Sequence, residues 1–333
     1  MLLTKPAYFD QFRCIAGSCP DSCCKEWDVQ VDELSASCYR NLPGALGDRL
    51  REVLSTENGE TVMSIIDGRC PMWRQDGLCR IQAELGEGAL CTTCREFPRL
   101  THDYGDFMEK GLELSCPEAA RLILSADPSP ALAEEIPGGE APEYDTEAMA
   151  VLKNTRRRAL ALLEEDRPTG ETLALLLLYG YQAQGELDGE EEVPFDPDAA
   201  LESIREFRKM GSMEEILTFF QSLEILQPQW ADRLKKPEGT DLSSLCRPLA
   251  RYFVERYWLQ ALSDYDLACR VKFIVVSCLV ISALGGDFLT TAQRFSKEIE
   301  NNTDNVEALL EAAYRHSAFT DDKLLGLLTL KIA

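Results

Sequence analysis

The chain has 333 residues, enough for two domains at about 150 residues each. Its 57 acidic and 34 basic residues give a formal net charge of −23. That balance excludes a nucleic-acid surface built on basic side chains, and it suits either a basic partner or plain solubility. Histidine occurs only as His102 and His316, so a histidine-rich zinc site is excluded and any metal must be held mainly by thiolates. The first residues, Met1-Leu2-Leu3-Thr4-Lys5-Pro6, do not form a basic region followed by an apolar run and a small-residue cleavage site. A cytoplasmic, reduced chain is therefore expected. Ten of the 13 cysteines fall between Cys14 and Cys116. That concentration, the odd total and a reducing compartment favour metal or iron–sulfur ligation over disulfides or scattered buried thiols.

In chain order, Cys14, Cys19, Cys23 and Cys24 come first, and Trp27, Val29 and Val31 alternate with polar residues as in a short half-buried strand. Adjacent Cys23 and Cys24 cannot easily face one ion, so one of them is expected to pack or to serve a second site. From Asp32 to about Glu57 the apolar residues recur at helical spacing, broken at Pro43-Gly44, with Cys38 expected as a small core residue. Val62–Ile66 reads as a strand. Cys70 and Cys79 flank an Asp76-Gly77 turn, and Ile81–Leu85 forms a short helix ended by Gly86. Cys91-Thr92-Thr93-Cys94 lets two thiolates face one ion from a tight turn and is the most specific local metal signal. A thioredoxin-type role for the pair would need a βαβ context, and none is visible.

Leu100–Leu114 reads as a hairpin around Asp103-Tyr104-Gly105-Asp106. Ser115-Cys116-Pro117-Glu118 has the form of a capping box, placing Cys116 at a helix N-terminus where the local field favours thiolate. Residues 126–145, with Asp127-Pro128-Ser129-Pro130 and Pro137-Gly138-Gly139, have linker composition. Beyond them the pattern is helical: 147–165, 169–184, 201–208, 213–226, 245–261, 265–284, 289–301, 306–315 and 321–332. Leu173–Leu178 and Phe273–Leu284 are strongly apolar but shorter than the roughly 20 residues of a membrane span, so no span is expected. Cys246, Cys269 and Cys278 are expected in the helical core.

The expected fold is α+β, predominantly α: a small cysteine-rich metal-binding domain with short strands (1–125), a linker (126–145) and an all-helical domain (146–333). Residues 1–120 carry a net −8 and the remainder −15, so charge does not mark the boundary. No glycine-rich dinucleotide turn, nucleotide-phosphate loop, Gly-x-Ser-x-Gly elbow or Cys-x-x-x-Cys-x-x-Cys triplet is present. All-thiolate ligation leaves structural zinc or an iron–sulfur cluster.

Three runs of residues resemble a known family. They are Phe12-Arg13-Cys14 through Cys23-Cys24-Lys25-Glu26-Trp27; Cys70-Pro71 with Gly77-Leu78-Cys79-Arg80-Ile81; and Cys91-Thr92-Thr93-Cys94-Arg95-Glu96-Phe97-Pro98-Arg99 with Ser115-Cys116-Pro117. They look like the bacterial flagellin lysine-N-methylases, with a softer likeness at Tyr252–Trp258 and Val271-Lys272-Phe273. The resemblance implies methyl transfer from S-adenosylmethionine to surface lysines of flagellin, with a cysteine-bound iron–sulfur cluster of 4Fe-4S type. Carried over by position, the cluster ligands are drawn from Cys14, Cys19, Cys24, Cys70, Cys79, Cys91, Cys94 and Cys116. A broader group with similar spacing chelates zinc or iron, which leaves a non-catalytic zinc- or iron-chelating protein as the alternative, and a cytoplasmic thiol-redox protein as a third. The methylase reading needs a neutral lysine amine, whose ordinary pKa is near 10.4. Asp103, Tyr104 and Asp106 are the candidate bases, their competing role being to form the turn.

Overall fold

In a computed structural model of the chain, residues 1–25, 28–57, 59–125, 131–207, 210–239 and 242–329 are described. The fold is α+β and predominantly α, as expected. The strands are β1 (Leu2–Lys5), β2 (Val29–Gln30), β3 (Leu54–Glu57), β4 (Glu60–Met63), β5 (Arg99–Asp103), β6 (Phe107–Leu112) and β7 (Leu132–Glu135). They make two small sheets with orders β5-β6-β1-β7 and β2-β4-β3. β1 runs parallel to β6, pairing Leu2 with Phe107, and antiparallel to β7, pairing Leu2 with Glu135. Strand β7 thus lies inside the stretch whose composition reads as linker. Trp27, residues 126–130 and the chain end from 330 lie outside the described residues.

The first helices are α1 (Glu33–Asn41), α2 (Gly44–Val53), α3 (Arg80–Leu85), α4 (Thr92–Glu96) and α5 (Pro117–Ser125). Asp32 caps α1 by accepting from the Ser35 N–H at 3.0 Å, and the helix stops at Leu42, where Pro43 disfavours helical backbone for the residue before it. The helical pattern predicted through Glu57 ends at Val53. The last four residues pair instead with β4, in the register Leu54 with Met63. At α5 the capping box does not form. The Ser115 hydroxyl donates to Glu113 at 2.7 Å, and Glu118 pairs with Arg121 at 2.6 Å.

The remaining helices are α6 (Thr146–Glu164), α7 (Thr169–Leu187), α8 (Pro197–Ser203), α9 (Met213–Gln221), α10 (Pro228–Leu234), α11 (Cys246–Tyr257), α12 (Leu267–Leu284), α13 (Phe288–Phe295), α14 (Thr303–Arg315) and α15 (Asp321–Thr329). A π-helical turn, Ser296–Glu300, continues α13. Helix α12 is the hub. Its 18 residues have a mean hydropathy of 2.1, long and apolar enough to cross a membrane, yet every one of them is buried within the protein. Its two charges are paired: Arg270 with Asp264 at 2.9 Å, and Lys272 with Asp321 at 2.9 Å and with the Ala313 carbonyl at 2.9 Å.

Two apolar cores result. The smaller gathers Val29, Val31, Ala36, Tyr39, Leu50, Met63, Met72, Ile81 and Leu90 around Cys70 and Cys91. The larger joins Phe12, Phe107, Leu112, Leu114 and α5 to the helices after residue 145. The cores therefore divide within the first 120 residues.

Candidate functional site

The small core is a frame for thiols. The Cys70 N–H donates to the Cys24 carbonyl at 2.8 Å, Lys25 bridges Arg69, and Trp73 bridges Cys79, so two distant loops are sewn together at their cysteines. Arg49 holds the turn between Cys70 and Cys79 by donating to the Pro71 carbonyl from Nε at 3.1 Å and Nη2 at 2.8 Å. Asp32 does a second job beside capping α1: its other oxygen accepts from the Thr92 N–H at 2.9 Å, at the start of the Cys91–Cys94 turn. Those backbone bonds hold the Asp32 carboxyl far below its ordinary value.

All cysteines are free. Burial pushes the Cys70 thiol up to about 12, helped by the charges of Cys24, Cys79 and Cys91, and burial also raises Cys79, which feels Cys24 and Cys91. Cys91 is lowered to about 7 by a hydrogen bond from Cys94, whose own thiol is held protonated. Cys23 and Cys24 form the same kind of pair, with Cys24 lowered to about 7. Cys24, Cys70, Cys79, Cys91 and Cys94 are thus one neighbourhood. Cys14, Cys19, Cys23 and Cys116 form another, since the charges of Cys14 and Cys19 act on Cys116 and those of Cys14 and Cys116 act on Cys23. The Cys23–Cys24 pair joins the two, since its thiols hydrogen-bond each other and the charges of both act on Cys94. Cys38 is exposed on α1, outside both and not in the core. Cys246, Cys269 and Cys278 are buried among the helices, as predicted.

Cys116 corrects a second expectation. Burial outweighs the backbone N–H groups of Ala119 and Glu118 and pushes its thiol up to about 11, so the helix end does not favour the thiolate. Among the described residues no three His, Cys, Asp or Glu side chains converge closely enough to share a metal ion. The donor chemistry nevertheless suits a thiolate-held group. The set is all thiol and free, and charge on Cys24, Cys79 or Cys91 raises the cost of ionising Cys70, which a cation relieves.

Asp103, Tyr104 and Asp106 lie together at the β5–β6 turn, in turn-forming contacts. The Gly105 N–H donates to Asp103 at 2.9 Å, Tyr144 donates to Asp106 at 2.6 Å, and Tyr104 stacks on Phe107 with centroids 4.5 Å apart. Burial pushes the Tyr104 phenol up to about 12.

Comparison with known proteins gives the family. The chain is 34% identical over 140 residues to the flagellar biosynthetic protein FliU of Salmonella muenchen, a match covering 40% of this chain and 83% of FliU. The chain belongs to the flagellin lysine-N-methylase family. Two further members of that family, the proteins named lysine-N-methylase from Salmonella typhimurium and Salmonella choleraesuis, are each 33% identical over 140 residues, covering 40% of this chain and 35% of their own length. No family model matches the chain, and no solved structure does.

In this family member the thiol loops are tied to the helices by residues that sequence reasoning passed over. Asp21, between Cys19 and Cys23, is 6% exposed and pairs with Lys25 at 2.6 Å and with Lys297 of the π-helical turn at 2.9 Å. Gln293 donates to Asp21 at 2.9 Å and to the Ser115 carbonyl at 2.6 Å. Burial alone would raise the Asp21 carboxyl, but the Lys297 charge and the hydrogen bonds from Lys25, Lys297 and Gln293 prevail and hold it at about 2. Nearby, Glu300 accepts from Tyr252 at 3.0 Å and Tyr257 at 2.9 Å and pairs with Arg256 at 3.3 Å. The available signal was charge inside apolar helical windows, at Glu255-Arg256 and Lys297-Glu298-Ile299-Glu300.

Proposed function

We propose that the protein is a lysine N-methyltransferase that moves the methyl group of S-adenosylmethionine to side-chain amines of flagellin in the cytoplasm. The observation that carries this is the 33% identity over 140 residues to two proteins named lysine-N-methylase. In the reaction a neutral lysine nitrogen attacks the sulfonium methyl, the carbon–sulfur bond breaks to leave S-adenosylhomocysteine, and the proton of the methylated ammonium passes to a base or to water. The thiol neighbourhood of Cys24, Cys70, Cys79, Cys91 and Cys94 is the proposed holder of an iron–sulfur cluster. A cluster bound there supplies single-electron transfer. The chain's own residues keep the amine neutral and the site dry, with Asp103, Tyr104 and Asp106 as proposed bases at the hairpin turn. The net charge of −23 attracts a lysine-bearing partner, so flagellin binding should weaken as ionic strength rises.

The deciding experiment pairs anaerobic purification, with an optical spectrum and iron, sulfide and zinc analysis, with mass spectrometry of flagellin incubated with methyl-labelled S-adenosylmethionine. Labelled lysines together with matched iron and sulfide support the whole reading. Stoichiometric zinc in a colourless protein that transfers no methyl group would replace it with a zinc-chelating structural protein.

A further inference from the structure

Away from the thiols, α11 lies across the four-stranded sheet and lines an open space with it. Two adjoining cavities, of about 290 and 180 Å³, share Tyr8, Arg251, Tyr252 and Glu255 as a common wall. The sheet contributes His102 and Glu109, and α6 contributes Arg156. The charges alternate along this wall: Arg156 grips Glu109 through two bonds of 2.8 and 2.5 Å, and Arg251 donates from Nε to Glu255 at 3.0 Å and from Nη1 to Glu164 at 2.8 Å. Two polar groups facing the space make no hydrogen bond, the Tyr8 hydroxyl and the His102 imidazole, although both are half-buried. Enclosed polar groups left without partners await one, from water or from a ligand. Leu122, Ile123 and Pro248 give the larger cavity apolar lining.

A ligand carrying one charge would strand a member of the Arg156–Glu109 pair, and an anion drawing Arg251 away would strand Glu255, at the cost of an uncompensated charge in a confined space. A ligand with adjacent ammonium and carboxylate groups can exchange onto both, its carboxylate toward Arg251 or Arg156 and its ammonium toward Glu255 or Glu109. We infer that this cleft binds the zwitterionic α-amino-acid end of a small molecule, held between the Arg156–Glu109 and Arg251–Glu255 pairs with Tyr8 and His102 as further hydrogen-bond partners. The cavity volume suits such a ligand. The chemistry has two sources, the methionyl half of the methyl donor or a free amino acid, and only the first rests on the methyltransferase reading. Cys116 stands at the start of α5, and Leu122 of that helix lines the cleft, about 9 Å further along its axis.

The test is calorimetric titration of the anaerobically purified full chain with S-adenosylhomocysteine and, separately, with methionine. Three variants accompany the wild type: Glu255→Gln, Arg251→Gln and Gly111→Phe. Gly111 lines the smaller cavity, and a Cβ there meets nothing within 4 Å, so a ring on this strand can take up the space while every charged side chain is kept. Unchanged circular dichroism and melting temperature identify the variants that remain folded. At least tenfold weaker binding in folded Gly111→Phe and in one charge variant supports the inference. Binding of S-adenosylhomocysteine that is equal in all folded variants overturns it and leaves the methyl-donor reading standing. Methionine binding sensitive to the variants, with no binding of S-adenosylhomocysteine, supports the cleft as an amino-acid site and removes the donor from it. If neither ligand binds the wild type, the cleft inference falls, and the flagellin methylation assay decides the donor reading by itself.

Discussion

Glu300 has a side chain with no solvent exposure, and it accepts from two tyrosine hydroxyls and pairs with the Arg256 guanidinium. Removing it leaves Arg256 confined beside two phenols, so Glu300→Ala should destabilise the protein by about 3–5 kcal/mol in urea unfolding, and Glu300→Gln by less. His102 gives a pH signature. Burial first, then the positive charge of Arg256, lowers its pKa from the ordinary 6.5, with Glu109 opposing and Arg156 adding to the lowering. The folded state therefore prefers the neutral ring. Its contribution is complete above the ordinary value and is lost as pH falls through the depressed one. The wild type should lose more melting temperature than His102→Gln between about pH 7.5 and about pH 5.5. Glu113 and Glu255, both raised by burial, act in the opposite sense, contributing below the ordinary carboxyl value and losing that contribution as pH rises through the folded one.

At the scale of elements, Asp32 links the start of α1 to the Cys91–Cys94 turn. Asp32→Ala should cost about 1 kcal/mol for the lost cap and, by loosening that turn, should lower the content of the proposed cluster in iron and sulfide analysis. The α7–α12 contact depends on Gly180, where a Cβ would stand 2.7 Å from Val271 Cγ1. Gly180→Ala should therefore destabilise despite its better helix propensity, and Val271→Ala in the same chain should recover part of the loss in a double-mutant cycle. Most helices were legible because apolar spacing is a local signal, and α12 announced itself by composition. The strand β3 was not, since Leu54-Ser55-Thr56-Glu57 continues a helical pattern and becomes a strand only by pairing with β4. Helix α10 was missed for a related reason: seven residues are too few to set a period, and Trp230 and Leu234 become core only against their neighbours.

For the whole molecule, the thiol-rich frame and the helical body form one device, because Asp21 holds the Cys19–Cys23 loop against Gln293 of α13, 272 positions away, and against Lys297 of the π-helical turn. The amino-acid sequence alone determined the inventory of thiols, the shortage of histidine, the acidic charge and most of the helices, since composition and the periods of 3.6 and 2.0 residues operate within a few turns of chain. Tertiary structure decided the rest. It coupled Cys23 and Cys24 as a hydrogen-bonded pair between two groups of thiols, left Cys38 outside, raised the Cys116 thiol against its helix end and placed Asp103, Tyr104 and Asp106 in turn contacts. It also made a cleft from Tyr8, His102, Arg156, Arg251 and Glu255, which no spacing connects. The physical reason is that burial and charge proximity set what a thiol, imidazole or carboxyl can do, and both belong to the packed chain and not to any stretch of it.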